Sequence, residues 1–207
     1  MQPNESDKYL TVSNKVESKI KVKGSRFIAF TAPVFTKNEA EAHYQERSVV
    51  YADATHNCYA YKVGLGDQAS RRMSDAGEPS GTAGKPILQV IEGHGLTNII
   101  IVVTRYFGGT KLGIGGLFRA YSEAADSVLR KAQIIYRYLT DEFEIIFPFD
   151  MINGIMKVIS HCDARIIKTL YNDSSRLFVQ VRKGLSWEFQ SKIVEATSGK
   201  ATIKQES

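Results

Sequence analysis

One glycine-rich loop has the composition of a phosphate-binding turn. It contains Lys111 and continues into a predicted helix through three glycines, Gly113, Gly115 and Gly116. The first N–H groups of a helix attract anions, and glycines let a phosphate approach the backbone closely. Arg105 and Arg119 would add positive charge. The spacing matches neither a Walker A loop nor a dinucleotide-binding fingerprint. The alternative is a turn that is rich in glycine only because strand and helix pack tightly there.

A second, earlier loop carries carboxylates and hydroxyls at Asp75, Glu78, Ser80 and Thr82. An Asp and a Glu three residues apart could hold a hard cation or act as an acid–base pair. Alternatively, Asp75 or Ser80 caps a turn, and Glu78 with Pro79 braces the bend. The composition favours the structural role, because carboxylates are common in glycine loops.

A nucleophile is the third chemistry to consider. Ser80 and Thr82 would need an adjacent base, and His56 is the histidine nearest to them in the expected sheet. A histidine at a strand end is more typically hydrogen-bonded to backbone. Cys58 has no evident activating cation. The sequence therefore favours a non-enzymatic protein, and it predicts no catalytic residue, metal or cofactor.

Basic residues flank both loops. They are Arg71, Arg72, Lys85, Arg105, Lys111 and Arg119. If the loops lie side by side, these residues form one basic patch rimmed by Tyr106 and Phe107. Arginine beside exposed aromatic rings suits single-stranded RNA or the ribosomal backbone. The alternative is a scatter of solvated charges.

Composition and charge limit the classes of protein to which this sequence can belong. The 207 residues carry a net charge of +5. Residues 1–138 hold 18 Lys and Arg against 13 Asp and Glu, whereas the remainder is balanced. This mild excess favours anionic partners. No apolar run is long enough to span a membrane, and the polar start has no secretory pattern. We therefore expect a cytoplasmic protein with no membrane partner, in which Cys58 and Cys162 are reduced thiols.

The loops must be positioned by the first of two α+β domains, predicted at residues 1–136. The apolar segment 99–103 lies between the loops and predicts a strand covered on both faces. Apolar residues at helical spacing predict a helix at about 115–131. Further predicted elements are strands within 9–34 and at 56–63 and 69–73, and helices at 37–48 and 83–92.

Residues 137–207 predict a second domain with a different pattern of strands and helices. Its pattern reads strand, helix, two strands, helix, strand, which is the ferredoxin-like βαββαβ order. The predicted strands are 139–147, 164–171, 175–182 and one from 201, with a turn at 172–174. A unit of this size can close its own small core.

The loop residues resemble the IMPACT/YigZ family of small cytosolic proteins. The matching segments are HNCYAY at 56–61, SDAGEPSGTAGKP at 74–86, VVTRYFGGTKLG at 102–113 and GGLFRAY at 115–121. The resemblance implies a ribosomal protein S5 domain 2-like first domain and a second domain like elongation-factor domain V. It also implies a link to translation, since eukaryotic relatives bind a co-activator of an initiation-factor kinase. It brings no agreed enzyme activity, and Ala76 stands where the family usually has a second Asp.

Our leading hypothesis is a non-enzymatic, translation-associated regulator. It would bind RNA, a ribosomal partner or a translation factor through a basic glycine-loop groove. In this hypothesis the six basic residues contact the RNA backbone, and the groove includes His56, Asp75, Glu78, Ser80, Thr82 and Tyr106. An enzyme acting on a phosphate-bearing small molecule, with its anion at residues 113–116, is the alternative. The sequence does not determine the oligomeric state.

Overall fold

The computed structural model describes residues 7–171 and 175–206. These residues form two compact units, and the fold is a two-domain α+β fold, as predicted. One unit is Tyr9–Arg137, and the other runs from Tyr138 onward and includes Asp7 and Lys8. The predicted turn at 172–174 lies outside the described residues.

A five-stranded antiparallel sheet forms the centre of the first unit. Its spatial order is β2-β3-β6-β4-β5. The strands are β1 Lys8–Val12, β2 Val16–Val22, β3 Ser25–Pro33, β4 His56–Val63, β5 Ser70–Ser74, β6 Ile99–Tyr106 and β7 Ile134–Tyr138. The helices are α1 Lys37–Val50, α2 Gly84–Gly93 and α3 Gly113–Lys131. Strands β1 and β7 pair as a separate two-stranded sheet, which the sequence pattern did not predict.

The sheet is covered on both faces, and β6 shows why its sequence is uniformly apolar. Ile101 and Val103 pack with α2 and α3 in the larger core, whereas Ile100 and Val102 pack toward α1. The prediction that this strand is buried on both sides is confirmed. The apolar stripe of α3 likewise faces the core, with Tyr121 fully buried.

The second unit has the predicted ferredoxin-like order. Strands β8 Thr140–Phe147, β9 Arg165–Tyr171, β10 Ser175–Arg182 and β11 Thr202–Glu206 alternate with helices α4 Ile152–His161 and α5 Ser186–Ala196. They form an antiparallel sheet in the spatial order β11-β8-β10-β9. Phe143, Phe189 and Ile193 are fully buried in its core.

Candidate functional site

The two glycine-rich loops start from strands of the same sheet and meet at the same edge. Strands β5 and β6 both run antiparallel to β4, which lies between them. Their carboxyl ends therefore reach the edge where β4 begins at His56. Helix α2 starts in close contact with the end of β5. A methyl group on Gly84 would lie only 2.8 Å from the Ser74 nitrogen. Loop 75–83 and loop 107–112 thus lead into two helices that begin at this edge.

A cavity of about 270 Å³ lies between the loops. The first loop contributes Glu78 and Pro79, and the second contributes Phe107, Lys111 and Leu112. The remaining lining residues come from the strand ends and from α3: Thr55, His56, Arg105, Gly113, Ile114 and Leu117. Of the predicted groove residues, His56 and Glu78 line this cavity. Asp75, Ser80, Thr82 and Tyr106 are not among its lining residues.

Arg105 is buried rather than exposed to a ligand phosphate in solution. Its Nη1 donates to Glu78 Oε1 at 2.6 Å, and its Nη2 donates to Ser25 Oγ at 3.3 Å. The Arg105 and Glu78 side chains are only 6% and 3% exposed. Tyr121 donates a second hydrogen bond to the same carboxylate oxygen at 2.8 Å. Arg105 therefore does not act as the freely exposed cation that the sequence hypothesis described, because its charge is neutralised inside the protein.

His56 and Cys58 are held by backbone carbonyls. His56 Nδ1 donates to the Ala76 carbonyl at 2.9 Å, and Nε2 lies 3.9 Å from Glu78 Oε2. The Cys58 thiol donates to the Asp75 carbonyl at 2.9 Å. Burial raises the pKa of the Cys58 thiol to about 12, so the thiolate that nucleophilic attack requires is disfavoured.

Asp75 closes the amino-terminal end of α2. Its carboxylate accepts hydrogen bonds from the N–H groups of Gly81, Ala83 and Gly84 at 2.8, 2.9 and 2.8 Å. Partial burial opposes ionisation, but these three backbone bonds outweigh it and lower the pKa of Asp75. Thr82 is also structural, because its hydroxyl donates to the Pro79 carbonyl. In the described part of the chain, no three His, Cys, Asp or Glu side chains form a metal-binding group.

The amino-terminal end of α3 is open by comparison. Its N-cap residue, Leu112, makes no side-chain capping hydrogen bond. Gly113 has a φ of +70°, a backbone conformation that glycine adopts without strain. Lys111 is exposed beside this end of the helix. The Arg119 guanidinium lies 4.0 Å from the position that a methyl group on Gly115 would take. An anion could therefore reach the first turn of α3 but not that of α2.

The predicted basic residues do not form a single patch. Arg71 donates to Glu92 at the far end of α2, 2.9 Å away. Arg72 pairs with Glu41 of α1, which packs on the opposite face of the sheet. Lys85, Lys111 and Arg119 are exposed and form no ion pair within the described residues. Arg71 and Arg72 are exposed as well, so the three differ from them in having no carboxylate partner among the described residues.

The structure adds two basic residues that the hypothesis omitted. The β2–β3 hairpin turn, residues 23–26, packs against the second loop so closely that a methyl group on Gly108 would lie 1.9 Å from the Gly24 carbonyl carbon. Lys23 and Arg26 are therefore beside this loop, and both are exposed. The Arg26 guanidinium stacks 4.3 Å from the Tyr106 ring centroid. A signal was present in the alternating lysines Lys19, Lys21 and Lys23.

Residues 23–129 match the model of the Impact N-terminal domain. This match spans both loops, the hairpin turn and nearly all of α3. The chain belongs to the IMPACT family. Among the described residues of this IMPACT family protein, no helix has the length and apolar character needed to cross a membrane.

Relatives from Bacillus subtilis and Escherichia coli match this IMPACT family protein over most of its length, and a human relative matches less than half of it. The IMPACT family member YvyE of Bacillus subtilis is 34% identical over 95% of this chain and 90% of its own. The IMPACT family member YigZ of Escherichia coli is 33% identical over 86% of this chain and 88% of its own. Human Protein IMPACT is 33% identical over 43% of this chain and 28% of its own length. The crystal structure of a hypothetical protein superposes with a TM-score of 0.70 at 30% identity, covering 95% of this chain and 96% of that one.

Proposed function

We propose that this IMPACT family protein is a translation-associated regulator that binds RNA, in ribosomes or free, through one face of its first domain. That face, here called the loop surface, comprises residues 23–26, residues 106–112 and the first turn of α3. Family membership supports the translational role. The open amino-terminal end of α3, with the exposed Lys111 before it and the exposed Lys23 on the hairpin turn that contacts Gly108 of the same loop, is the observation that supports RNA as the ligand.

The electrostatics of the loop surface suit a phosphate backbone. The uncapped N–H groups at the start of α3 carry partial positive charge. Lys23, Arg26 and Lys111 surround the same loop, and none of them pairs with a carboxylate of the described chain. Glu78, the nearby acid of the cavity, is neutralised by Arg105. At Gly109 and Gly113 a methyl group would meet no atom within 4 Å, so the backbone there is accessible to a close approach.

The same contacts favour binding over catalysis. Asp75 and Glu78, which would supply an acid or a base, are engaged by backbone N–H groups and by Arg105 respectively. The Cys58 thiol is buried with a raised pKa. The groups of this site with reactive chemistry therefore contribute to its structure, while its exposed polar groups are cations and backbone N–H donors.

Charge reversal within the loop surface tests this function. We expect Lys23→Glu/Lys111→Glu to weaken binding to a fluorescent single-stranded RNA, measured by anisotropy, and to ribosomes, measured by co-sedimentation. For each phosphate that the variant no longer neutralises, the slope of log K against log salt should become shallower by about 0.7 for single strands. Both side chains are exposed, so the fold should persist, which a urea denaturation curve can verify.

Lys15→Glu/Lys37→Glu is the matched control. It changes the net charge equally, but both lysines lie near the opposite sheet edge, where β2 begins and β3 ends. RNA binding that survives the loop-surface reversal would overturn the proposal. An equal decrease in the control would also overturn it, since binding would then follow net charge rather than this surface.

A further inference from the structure

We infer that the cavity beside the loop surface accommodates one unpaired nucleotide of a single-stranded RNA, with its phosphate at the first turn of α3 and its base against Phe107. Because this inference rests on the proposed function, its test must separate the two. It concerns what the cavity selects, whereas the proposed function concerns where the RNA backbone binds.

The size of the cavity limits what can enter it. Its volume of about 270 Å³ is slightly below the roughly 300–1,000 Å³ typical of sites for drug-sized ligands. A helix, a strand or a duplex cannot enter such a space, whereas one nucleotide group can. A base that leaves its stack would therefore be accommodated singly.

The anionic end of the ligand is selected by the start of α3 and its neighbours. Helix α2, at the same sheet edge, already receives the Asp75 carboxylate on its first N–H groups. Helix α3 has no side-chain cap, and the cavity is lined there by Lys111, Gly113 and Ile114. At this edge the Asp75 carboxylate accepts hydrogen bonds from the first N–H groups of α2, and a ligand phosphate would accept hydrogen bonds from the first N–H groups of α3 in the same way.

Arg105 contributes a polar wall to the cavity rather than a free cation. It lines the cavity, its side chain is 6% exposed, and its buried Nε has no hydrogen-bond partner within the described residues. A nucleotide in the cavity would therefore lie beside an arginine whose charge Glu78 already balances, and its phosphate would be held by Lys111 and the first turn of α3 rather than by Arg105.

The apolar end of the ligand is selected by exposed hydrophobic side chains of the cavity. Phe107 is 48% exposed and Ile114 is 72% exposed, although both are large apolar residues. Ligand pockets are typically lined by apolar and aromatic side chains together with a few polar groups. A nucleobase suits them, because aromatic side chains stack on bases of any sequence.

This arrangement predicts selection of single strands. In a duplex every base is already stacked and paired, so placing one in the cavity would require extruding it. We therefore expect a short unstructured RNA to bind more tightly than the same RNA annealed to its complement. Phe107→Ala should weaken single-strand binding about tenfold, which is typical of removing one base stack, and should leave duplex binding nearly unchanged.

A second pair of variants tests the phosphate position without disturbing the fold. A carboxylate at Ile114→Glu lies in the first turn of α3, where it is compatible with the helix dipole but competes with a phosphate. Ile114→Gln has similar size and no charge. We expect the Glu variant to bind single-stranded RNA several-fold more weakly than the Gln variant, with urea denaturation confirming that both fold.

The outcomes distinguish the two proposals. If Lys23→Glu/Lys111→Glu abolishes RNA binding while Phe107→Ala binds single strands like the unaltered protein, the nucleotide site is wrong and the loop surface stands. Equal affinity for single strand and duplex would also overturn the nucleotide site. If the lysine reversal leaves RNA binding intact but Phe107→Ala weakens it, the backbone contact at Lys23 and Lys111 is wrong and the base contact at Phe107 stands.

Discussion

Arg105 and Glu78 form a buried ion pair whose Nη1 and Oε1 atoms lie 2.6 Å apart. The two residues come from the end of β6 and from the first glycine loop, so this pair fixes the loop against the sheet. Tyr121 of α3 donates to the same carboxylate. One carboxylate thus joins a strand, a loop and a helix beside the cavity.

Removing one member of this pair should destabilise the protein strongly. Arg105→Met leaves the Glu78 carboxylate buried without its cation, and breaking a buried pair in this way costs about 3–5 kcal/mol. Urea denaturation should show a lowered free energy of unfolding. Arg105→Met/Glu78→Gln removes the charge as well, so we expect it to be less destabilised than the single variant. A double variant less stable than Arg105→Met would contradict the ion-pair interpretation.

Asp75 should make stability depend on acid pH. Its pKa is lowered in the folded protein, because three backbone N–H bonds outweigh the effect of burial. In the unfolded chain the Asp pKa is about 3.9. As the pH falls, Asp75 therefore binds a proton in the unfolded chain before it does so in the folded protein. The stabilisation by the ionised Asp75 carboxylate is complete above about pH 4, and it is lost as the pH falls through the lower pKa of the folded protein.

Asp75→Asn isolates this contribution. At neutral pH we expect a destabilisation of about 1–2 kcal/mol, as for other helix-capping residues. The stability difference from the unaltered protein should shrink in urea titrations run at successively lower pH below about 4. Asp67→Asn, at an exposed residue of the short 3₁₀ helix Gly66–Gln68, is the control. A difference that stays constant with pH would show that ionisation of Asp75 does not contribute.

Ala76 holds a strained backbone conformation, with a φ of +44°. This conformation costs a non-glycine residue about 1–2 kcal/mol of stability. Glycine avoids that cost, but it loses more conformational entropy on folding, which offsets part of the gain. We expect Ala76→Gly to stabilise the protein by ~0.5 kcal/mol, since the two effects partly cancel. Ala52→Gly, at an exposed turn residue without positive φ, should be neutral or destabilising. Thermal denaturation of both variants tests this, and a destabilised Ala76→Gly would refute it.

The architecture was predictable because local patterns determine it. The apolar run of β6, the stripe of α3 and the βαββαβ order each follow from side-chain periodicity. Helix α1 was predicted to begin at residue 37, and it does so because Thr36 Oγ1 accepts from the Glu39 N–H, a local cap. Such features depend on residues close in sequence.

The site was less predictable because it depends on distant partners. Arg105 is two residues beyond Val103 on β6, and alternation places it on the face that α2 and α3 cover. This signal could have shown that Arg105 is buried. Its partner Glu78, 27 residues earlier, could not be assigned from spacing. The packing of residues 23–26 on the second loop likewise appears only when β2, β3 and β6 pair.

The contact of Gly24 with Gly108 should admit no side chain. A methyl group on Gly108 would lie 1.9 Å from the Gly24 carbonyl carbon and 2.2 Å from the Ser25 nitrogen. Both are backbone atoms, so the hairpin turn must move away from the second loop. Gly108 does not have a positive φ, so steric overlap alone should act. We expect Gly108→Ala to destabilise the protein by about 1–3 kcal/mol, as overpacking does, and to weaken RNA binding because the turn that carries Lys23 moves away from the second loop.

Gly93→Ala is the matched control for this steric effect. Gly93 ends α2, has no positive φ, and a methyl group there would meet no atom within 4 Å. The control should leave both the urea midpoint and RNA affinity nearly unchanged. If Gly108→Ala behaves like the control in both measurements, the hairpin turn does not pack on the second loop, and Lys23 does not belong to the loop surface.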